Sequence, residues 1–113
     1  MKTRIDQMAV FELANDGVIS ALPTDAKERK KYPIFSGVFN YFPDAIALVA
    51  RTSYEGNQQH HPDKPLHWDK SKSSDELDAL MRHMIEGEWE KVAWRALAHL
   101  QRQCDAGYNP FQS

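Results

Sequence analysis

The first part of the chain alternates short apolar runs with turn residues. Two such runs, Met8–Glu12 and Val18–Leu22, flank Asn15-Asp16-Gly17. Asp-Gly between apolar runs is typical of a β-hairpin, because the turn needs a positive φ that glycine tolerates. A short helix through Gln7–Asn15 is the competing interpretation. The pattern favours the hairpin, within an N-terminal extension that we assign to residues 1–24.

An aromatic-rich segment, Tyr32–Phe42, follows the charged run Asp25–Lys31. Pro33 disfavours helix at the residue before it, so the charged run should end there. The segment also carries Ser36 and Gly37 beside Lys31, a mixture that can stack a base and hold phosphates. The alternative is a packing role, and we expect most of its aromatic side chains to be core: Phe35, Phe39, Tyr41 and Phe42.

Three helices are predicted in the rest of the chain. Pro43 suits the first position of one helix, which Gly56-Asn57 should end. Ser73 and Glu76 form a capping box that opens a second helix, and Gly87 should end it. A third helix is expected from about Glu88 to Cys104.

Each predicted helix has an apolar face. On the first helix it comprises Phe42, Ile46, Val49, Ala50 and Ser53, with Asp44 roughly opposite. On the second it comprises Leu77, Leu80, Met81, Met84 and Ile85. On the third it comprises Trp89, Val92, Ala93, Ala96, Leu97, Leu100 and Cys104, with Trp94 off the seam and so facing another element or a partner subunit. These faces predict a mostly α protein, a small helical bundle.

Length and composition are consistent with one domain over residues 1–113, with 42% hydrophobic residues. The net charge of −2 argues against a general nucleic-acid-binding protein. No apolar run reaches membrane-spanning length, and the start of the chain has no apolar signal core. Cys104, the single cysteine, has no partner for an internal disulfide. We therefore expect a cytoplasmic protein without a membrane partner.

Three carboxylates are candidate metal ligands. Asp75 and Asp78 form a D-x-x-D pair on one side of the second predicted helix, and Asp44 could join them if its helix packs antiparallel. Magnesium prefers oxygen ligands and keeps several waters, so a few carboxylates and substrate phosphates suffice. The structural alternative is that Asp75 stabilises the helix start and Asp78 pairs with Arg82 on the surface.

The histidines and tryptophans allow both structural and functional interpretations. A polar loop, Asn57–Lys72, contains Trp68 and three histidines whose spacing fits no standard zinc pattern: His60, His61 and His67. His60 and His67 are candidates for phosphate or base contacts. Trp68 either stacks a base or anchors the loop. His83 is either a catalytic residue or an ordinary hydrogen-bonding residue. Three glutamates form an acidic corner, as metal ligands or as a solvated surface: Glu86, Glu88 and Glu90.

Three segments taken in order resemble one known family. They are KERKKYPIFSGVFNYFPDA, GNQQHHPDKPLHWDKSKSSDELDALMRH and KVAWRALAHLQ. Together they resemble small phage dATP/dGTP diphosphohydrolases, which are related to the MazG-like all-α pyrophosphohydrolases. The resemblance covers roughly residues 25–104, a MazG-like core.

The resemblance implies hydrolysis of a deoxypurine triphosphate, dGTP or dATP, to the monophosphate and pyrophosphate with Mg²⁺ or Mn²⁺. It places Asp75 and Asp78 where that family has an E-x-x-D pair, Asp44 on the helix of the first acidic set, and His83 in the closing R-H. It also implies a homodimer or homotetramer. The family's E-E-x-x-E is missing here, since Asp44 and Glu55 are about 16 Å apart along a helix. The segment before the last helix is shortened to Glu86-Gly87-Glu88.

The resulting hypothesis is a metal-dependent pyrophosphohydrolase that could supply dGMP for modified-purine phage DNA. Asp44, Asp75 and Asp78 would hold the metal, and His83 would be catalytic. The substrate-binding residues would be Lys31, Tyr32, Ser36, Asn57, Gln58, His60, Trp68, Lys72 and Arg82. The alternatives are a non-catalytic nucleotide-binding or host-interaction protein on the same scaffold, and a nucleic-acid-binding accessory protein that uses Lys27–Lys31.

Overall fold

The structure, a computed structural model, describes Ile19 and residues 21–71 and 75–112. All regular secondary structure within those residues is helical, which confirms the mostly α fold class. The predicted hairpin lies outside the described residues, apart from its end, where the Leu22 N–H donates to the Ile19 carbonyl in a turn. The chain divides into two compact units, Met1–Tyr32 and Pro33–Ser113. The assignment of one domain to the whole chain stays a prediction.

The described part of the first unit contains one short helix, α1 (Ala26–Arg29). Asp25 is its N-cap, and its Oδ2 accepts a hydrogen bond of 3.1 Å from the Glu28 N–H. Arg29 Nη1 donates to the Pro23 carbonyl at 3.0 Å. These local bonds account for an ordered turn at the position of the predicted charged run.

The second unit contains a π-helical segment, Phe35–Phe39, and three longer helices, α2 (Pro43–His60), α3 (Glu76–Glu86) and α4 (Trp89–Asp105). In the π-helical segment the Asn40 N–H donates to the Phe35 carbonyl at 2.8 Å. A Cβ at Gly37 would lie 3.2 Å from Pro33 Cγ, so this tight turn favours glycine. None of the helices in the described ranges is long and apolar enough to cross a membrane.

The expectation that the aromatic segment is core was wrong. Phe35 is 73% exposed, and Phe39, Tyr41 and Phe42 are exposed as well. Tyr41 and Phe42 instead pack edge-to-face, with ring centroids 6.0 Å apart. The residues occupy only a short π-helical segment and the turn after it, and these do not present one continuous face to the longer helices.

The helix α2 extends beyond its predicted end at Gly56-Asn57. A glycine inside a helix costs only about 1 kcal/mol, which neighbouring interactions can offset. Asn57 is buried, and its Nδ2 donates to the Lys64 carbonyl at 3.0 Å and, more weakly, to the His61 carbonyl at 3.4 Å. Its own carbonyl accepts from the His61 N–H at 2.7 Å. Asn57 therefore ties the last turn of α2 to the loop that follows.

The helices α3 and α4 form a hairpin around Gly87. Gly87 has φ 72°, a left-handed conformation that favours glycine at a helix C-terminus. The predicted end of α3 and the bounds of α4 are confirmed to within one residue. The capping box is wrong for Glu76, because α3 begins at Glu76 and the side chain turns towards α4. Its other member, Ser73, lies outside the described residues.

The predicted apolar faces of α3 and α4 are largely exposed, although Leu80, Val92 and Ala93 are half-buried. The helix α4 packs against both α2 and α3. Within the described residues, the deeply buried side chains are Ala79, Ala98, Asn57 and Glu76. Large apolar side chains from the predicted faces are exposed instead, with Ile85 at 84%: Leu77, Met81, Met84, Ile85, Trp89, Leu97 and Leu100. The sequence pattern identified which residues share a face, and the structure shows that most of the large side chains on it are exposed.

A three-residue cluster closes the α3–α4 hairpin. His83 Nδ1 lies 3.0 Å from Glu88 Oε1, and Lys91 Nζ donates to Glu88 Oε2 at 2.6 Å. The hydrogen bond from Lys91, followed by that from His83, lowers the pKa of Glu88 to about 2. The same contact raises the pKa of Lys91. Glu88 therefore stays ionised through the ordinary pH range and links the two helices.

Replacing Gly87 by alanine should destabilise the protein by about 1–2 kcal/mol, because Cβ disfavours the left-handed conformation. The matched control is Gly56→Ala, since Gly56 lies within α2 and a Cβ there meets nothing within 4 Å. That substitution should stabilise by about 0.5–1 kcal/mol. Urea unfolding followed by circular dichroism measures both. Equal effects of the two substitutions would contradict the assigned role of Gly87.

Replacing Glu88 by glutamine should lower Tm at neutral pH, because it removes the carboxylate that Lys91 and His83 contact. The folded-state pKa of Glu88, about 2, lies below its ordinary value of 4.5. Its contribution is therefore fully present above about pH 4.5 and is lost as the pH falls through about 2. The Tm difference between wild type and Glu88→Gln should shrink over this window. The control is Glu55→Gln, because Glu55 forms a surface ion pair with Arg51. If the Tm difference between wild type and Glu88→Gln stayed constant down to pH 2, the prediction would be refuted.

Candidate functional site

Acidic residues lie at the exposed start of α3. Asp75 is the N-cap residue and Asp78 lies in the first turn, and both side chains are exposed. Arg82 Nη2 donates to Asp75 Oδ2 at 3.3 Å. Residues 75 and 82 are seven apart, so two helical turns bring them to the same side. The sequence suggested Asp78 as the partner of Arg82, whereas the structure pairs Arg82 with Asp75.

Asp44 lies in the first turn of α2 and is exposed. The packed helix pairs are α3 with α4 and α2 with α4, so the two acid-bearing helices each contact α4. In the described ranges, no three His, Cys, Asp or Glu side chains converge as a metal site. The convergence of Asp44 with Asp75 and Asp78 therefore stays a prediction. Two carboxylates with substrate phosphates remain a suitable set for Mg²⁺.

The loop after α2 is attached to α4 through Trp68. Its ring lies 5.5 Å from that of Trp94, edge-to-face. Lys70 Nζ and Arg102 Cζ lie 5.2 Å and 5.6 Å from the Trp68 ring centroid. Trp94 in turn donates from Nε1 to Ser53 Oγ at 2.6 Å, which joins α4 to α2. The expectation that Trp94 faces another element is confirmed, and Trp68 anchors the loop.

An ion pair reinforces that attachment. Lys70 Nζ donates to Asp105 Oδ2 at 3.2 Å, near the end of α4. Gln101 Nε2 donates to the other oxygen of Asp105 at 3.0 Å. The bond from Gln101, followed by that from Lys70, lowers the pKa of Asp105. The loop therefore crosses from the end of α2 to the C-terminal turns of α4.

The centre of this packing contains a charged pair that the sequence analysis did not identify. Glu76 is 2% exposed, and its Oε2 lies 3.2 Å from Arg102 Nε. Its Oε1 is buried and accepts no hydrogen bond from the described part of the chain. The same holds for Asn57 Oδ1, whose residue is 9% exposed.

A sequence signal for Glu76 did exist. Glu76, Ala79, Leu80 and His83 have helical i, i+3, i+4, i+7 spacing, and the structure buries or half-buries all four. The same helix also carries a more apolar stripe, which includes Leu77, Met81 and Ile85, and the sequence analysis selected that stripe. The charge of Glu76 then made the capping box the more obvious assignment.

The other predicted site residues are distributed as follows. Gln58 and His60 are exposed near the end of α2, where the His60 and His61 rings lie 6.4 Å apart. Ser36 is exposed on the π-helical segment. His83 is bound to Glu88, as described above. Lys31, which pairs with Glu28 at 3.0 Å, and Tyr32 belong to the first unit, and Lys72 lies outside the described residues.

Comparison with known proteins gives no relative from which residue roles could be transferred. A scan against family models finds no match, and neither do searches of curated proteins and of solved structures. The functional argument therefore rests on the chemistry of the described side chains and on the sequence segments quoted above.

Proposed function

We propose that this protein is a divalent-metal-dependent pyrophosphohydrolase that converts a deoxypurine triphosphate and water to the monophosphate and pyrophosphate. The observation that carries the proposal is the exposed pair Asp75 and Asp78 at the start of α3, with Arg82 bonded to Asp75. Carboxylates suit a hard cation, and a guanidinium suits phosphate oxygens. The resemblance to MazG-like enzymes supports the same assignment.

In this proposal Asp75 and Asp78 hold Mg²⁺ or Mn²⁺, and Asp44 completes the set. The bound cation would supply a nucleophilic water and stabilise negative charge on the phosphate oxygens. Arg82 and Lys72 neutralise the rest of the triphosphate, and Arg82 exchanges Asp75 for a phosphate oxygen when substrate binds. His83, held by Glu88 in the last turn of α3, is the proposed catalytic residue.

The substrate base would bind near the end of α2. Asn57, Gln58 and His60 lie together in its last turn, and Trp68 follows in the loop that Asn57 organises. Ser36 is the remaining proposed contact in this unit. Product dGMP would feed the synthesis of phage DNA with modified purines.

A second copy of the chain would complete the assembly. Large apolar side chains are exposed on both helices of the hairpin, among them Met81 and Ile85 on α3 and Trp89 and Leu97 on α4. A two-helix apolar face is self-complementary about a two-fold axis and forms a four-helix bundle. In such a homodimer, or in a homotetramer built from it, Asp44 of either copy could complete the metal site proposed at Asp75 and Asp78.

The reaction is tested by incubating the protein with each dNTP and Mg²⁺ and separating the products by ion-exchange chromatography. We expect dGTP or dATP to give monophosphate and pyrophosphate in equal amounts. Asp75→Asn and Asp78→Asn should each lower kcat/KM by at least about 100-fold, because the amide is a poorer metal ligand and carries no charge.

The control for these variants is Asp63→Asn, an exposed loop residue outside the proposed site. Its activity should match that of the wild type. Saturable metal-dependent binding without turnover would favour the non-catalytic alternative. Release of orthophosphate alone would contradict the proposed chemistry.

The assembly is tested by light scattering after gel filtration. The wild type should elute as a dimer or tetramer, and Met81→Glu with Ile85→Glu should shift it to a monomer, because charges would be buried in the interface. Exposed Glu55→Gln on α2 is the control. A wild-type monomer at about 100 μM would refute the assembly, since a stable interface of standard size gives micromolar or tighter association.

A further inference from the structure

His83, Glu88 and Lys91 form a chain of polar contacts where α3 turns into α4. His83 Nδ1 lies 3.0 Å from one carboxylate oxygen of Glu88, and Lys91 Nζ lies 2.6 Å from the other. We propose that Glu88 is a positioning residue for His83, because its carboxylate keeps the ring proton on Nδ1 and leaves the lone pair on Nε2. Resting on the proposed function, Nε2 is then the atom that takes a proton from the attacking water.

The contact with Glu88 determines which nitrogen of the His83 ring carries the proton. An ionised carboxylate only accepts hydrogen bonds, so the nitrogen that faces it must carry a hydrogen. A neutral imidazole has one N–H group, and placing it on Nδ1 leaves Nε2 as an acceptor. A histidine side chain free in water favours the opposite tautomer, with the proton on Nε2. Glu88 therefore reverses the ordinary preference of the ring.

Lys91 keeps the Glu88 carboxylate in its accepting form. The hydrogen bond from Lys91, followed by that from His83, lowers the pKa of Glu88 to about 2. Glu88 is therefore ionised at every pH at which the imidazole of His83 is neutral. Glu86 and Glu90 are the other charged groups close to this turn, and both raise the pKa of Lys91. Lys91 thus stays protonated and occupies one oxygen of Glu88, while the second oxygen faces His83.

The backbone of the turn holds the pair in register. The Glu88 N–H donates to the His83 carbonyl at 2.9 Å, so the two residues are joined through the main chain as well as through their side chains. Glu88 is also the N-cap residue of α4, and its carbonyl accepts from the Lys91 N–H at 3.0 Å. Both helices therefore define the position of the carboxylate, which a positioning residue requires.

The His83 ring keeps one side available to a ligand. Its side chain is 23% exposed and that of Glu88 is 28% exposed, so the contact is partly shielded while part of the ring reaches solvent. Nε2 forms no hydrogen bond within the part of the chain that the structure describes. A carboxylate on one ring nitrogen and an available second nitrogen is the arrangement by which proteins orient a functional imidazole.

In the proposed reaction Nε2 takes one proton from water while the water oxygen bonds to the α-phosphorus. The bond from that phosphorus to the bridging oxygen breaks, and its electron pair leaves with pyrophosphate. His83 is then an imidazolium, whose positive charge the Glu88 carboxylate stabilises. The ring becomes neutral again when Nε2 releases the proton to solvent.

The first test needs no variant of Glu88. Long-range 1H–15N correlation spectra of the 15N-labelled protein report the tautomer of each histidine ring, and His83→Gln identifies the His83 signals by their loss. As the pH is raised until the ring is neutral, the Nδ1–H tautomer should exceed the other by at least about tenfold, as expected for a hydrogen bond to a charged group. A predominant Nε2–H tautomer would overturn the inference.

Glu88→Gln tests the residue responsible for that tautomer. A glutamine amide either accepts from Nδ1 or donates to it, so the two tautomers of His83 should come within about threefold of each other. Glu55→Gln is the matched control and should keep the wild-type spectrum, because Glu55 pairs with Arg51 on the surface of α2. Circular dichroism establishes that each variant is folded. If Glu88→Gln is unfolded, the spectra of the unaltered protein decide the inference.

Kinetics test whether Glu88 acts through His83. Glu88→Gln should lower kcat about 10- to 100-fold and leave KM within about threefold of the wild type. In a His83→Gln background the same substitution should change kcat by less than about twofold, because the residue that Glu88 positions is gone. An equal fall in both backgrounds would refute the positioning role.

The spectra and the assay also separate this inference from the proposed function. If dNTPs are hydrolysed while His83 carries its proton on Nε2, the proposed function stands and the inference fails. If no dNTP is hydrolysed, the proposed function fails, and the spectra alone decide whether Glu88 sets the tautomer of His83.

Discussion

The contact between Glu76 and Arg102 determines how the helical unit is arranged. It joins the first residue of α3 to the last turns of α4, with Oε2 and Nε 3.2 Å apart and the carboxylate 2% exposed. Burying a charge is costly unless it is paired, and removing one partner of a buried pair typically costs about 3–5 kcal/mol. The rotation of α3 about its axis is therefore fixed at its start. The contact of His83 with Glu88 fixes the same rotation at its end.

That rotation explains both surfaces of α3. With Glu76, Ala79 and His83 turned towards α4, the apolar stripe that contains Met81 and Ile85 faces outwards. Asp75 and Asp78 remain exposed at the helix start. This rotation places on the outside of α3 both the apolar stripe proposed to bind a second copy and the carboxylate pair proposed to bind a cation. The proposed assembly and the proposed chemistry both depend on it.

The loop after α2 brings the remaining parts together. Asn57 organises its beginning, Trp68 rests against Trp94 and Arg102, and Lys70 binds Asp105. The loop therefore joins the end of α2 to the C-terminal turns of α4. In a bundle, ligand sites are commonly built from inward-facing polar side chains of adjacent helices. The buried side chains of Asn57 and Glu76 are inward-facing polar groups of this kind.

The sequence specifies, through local features, the helical class, the start of α2 at Pro43, the end of α3 at Gly87 and the bounds of α4. These features follow from local rules, since proline, glycine and a 3.6-residue period act within a few residues. It also grouped Leu77, Met81 and Met84 on one face correctly. The packing of the helices sets the exposure of this face, the burial of Glu76 and the pairing of Arg82 with Asp75. The burial of Glu76 depends on Arg102, which is distant in the sequence. The exposure of the apolar face depends on which of the two stripes of α3 packs against α4. A periodic pattern shows which residues share a face, but it does not show what covers that face.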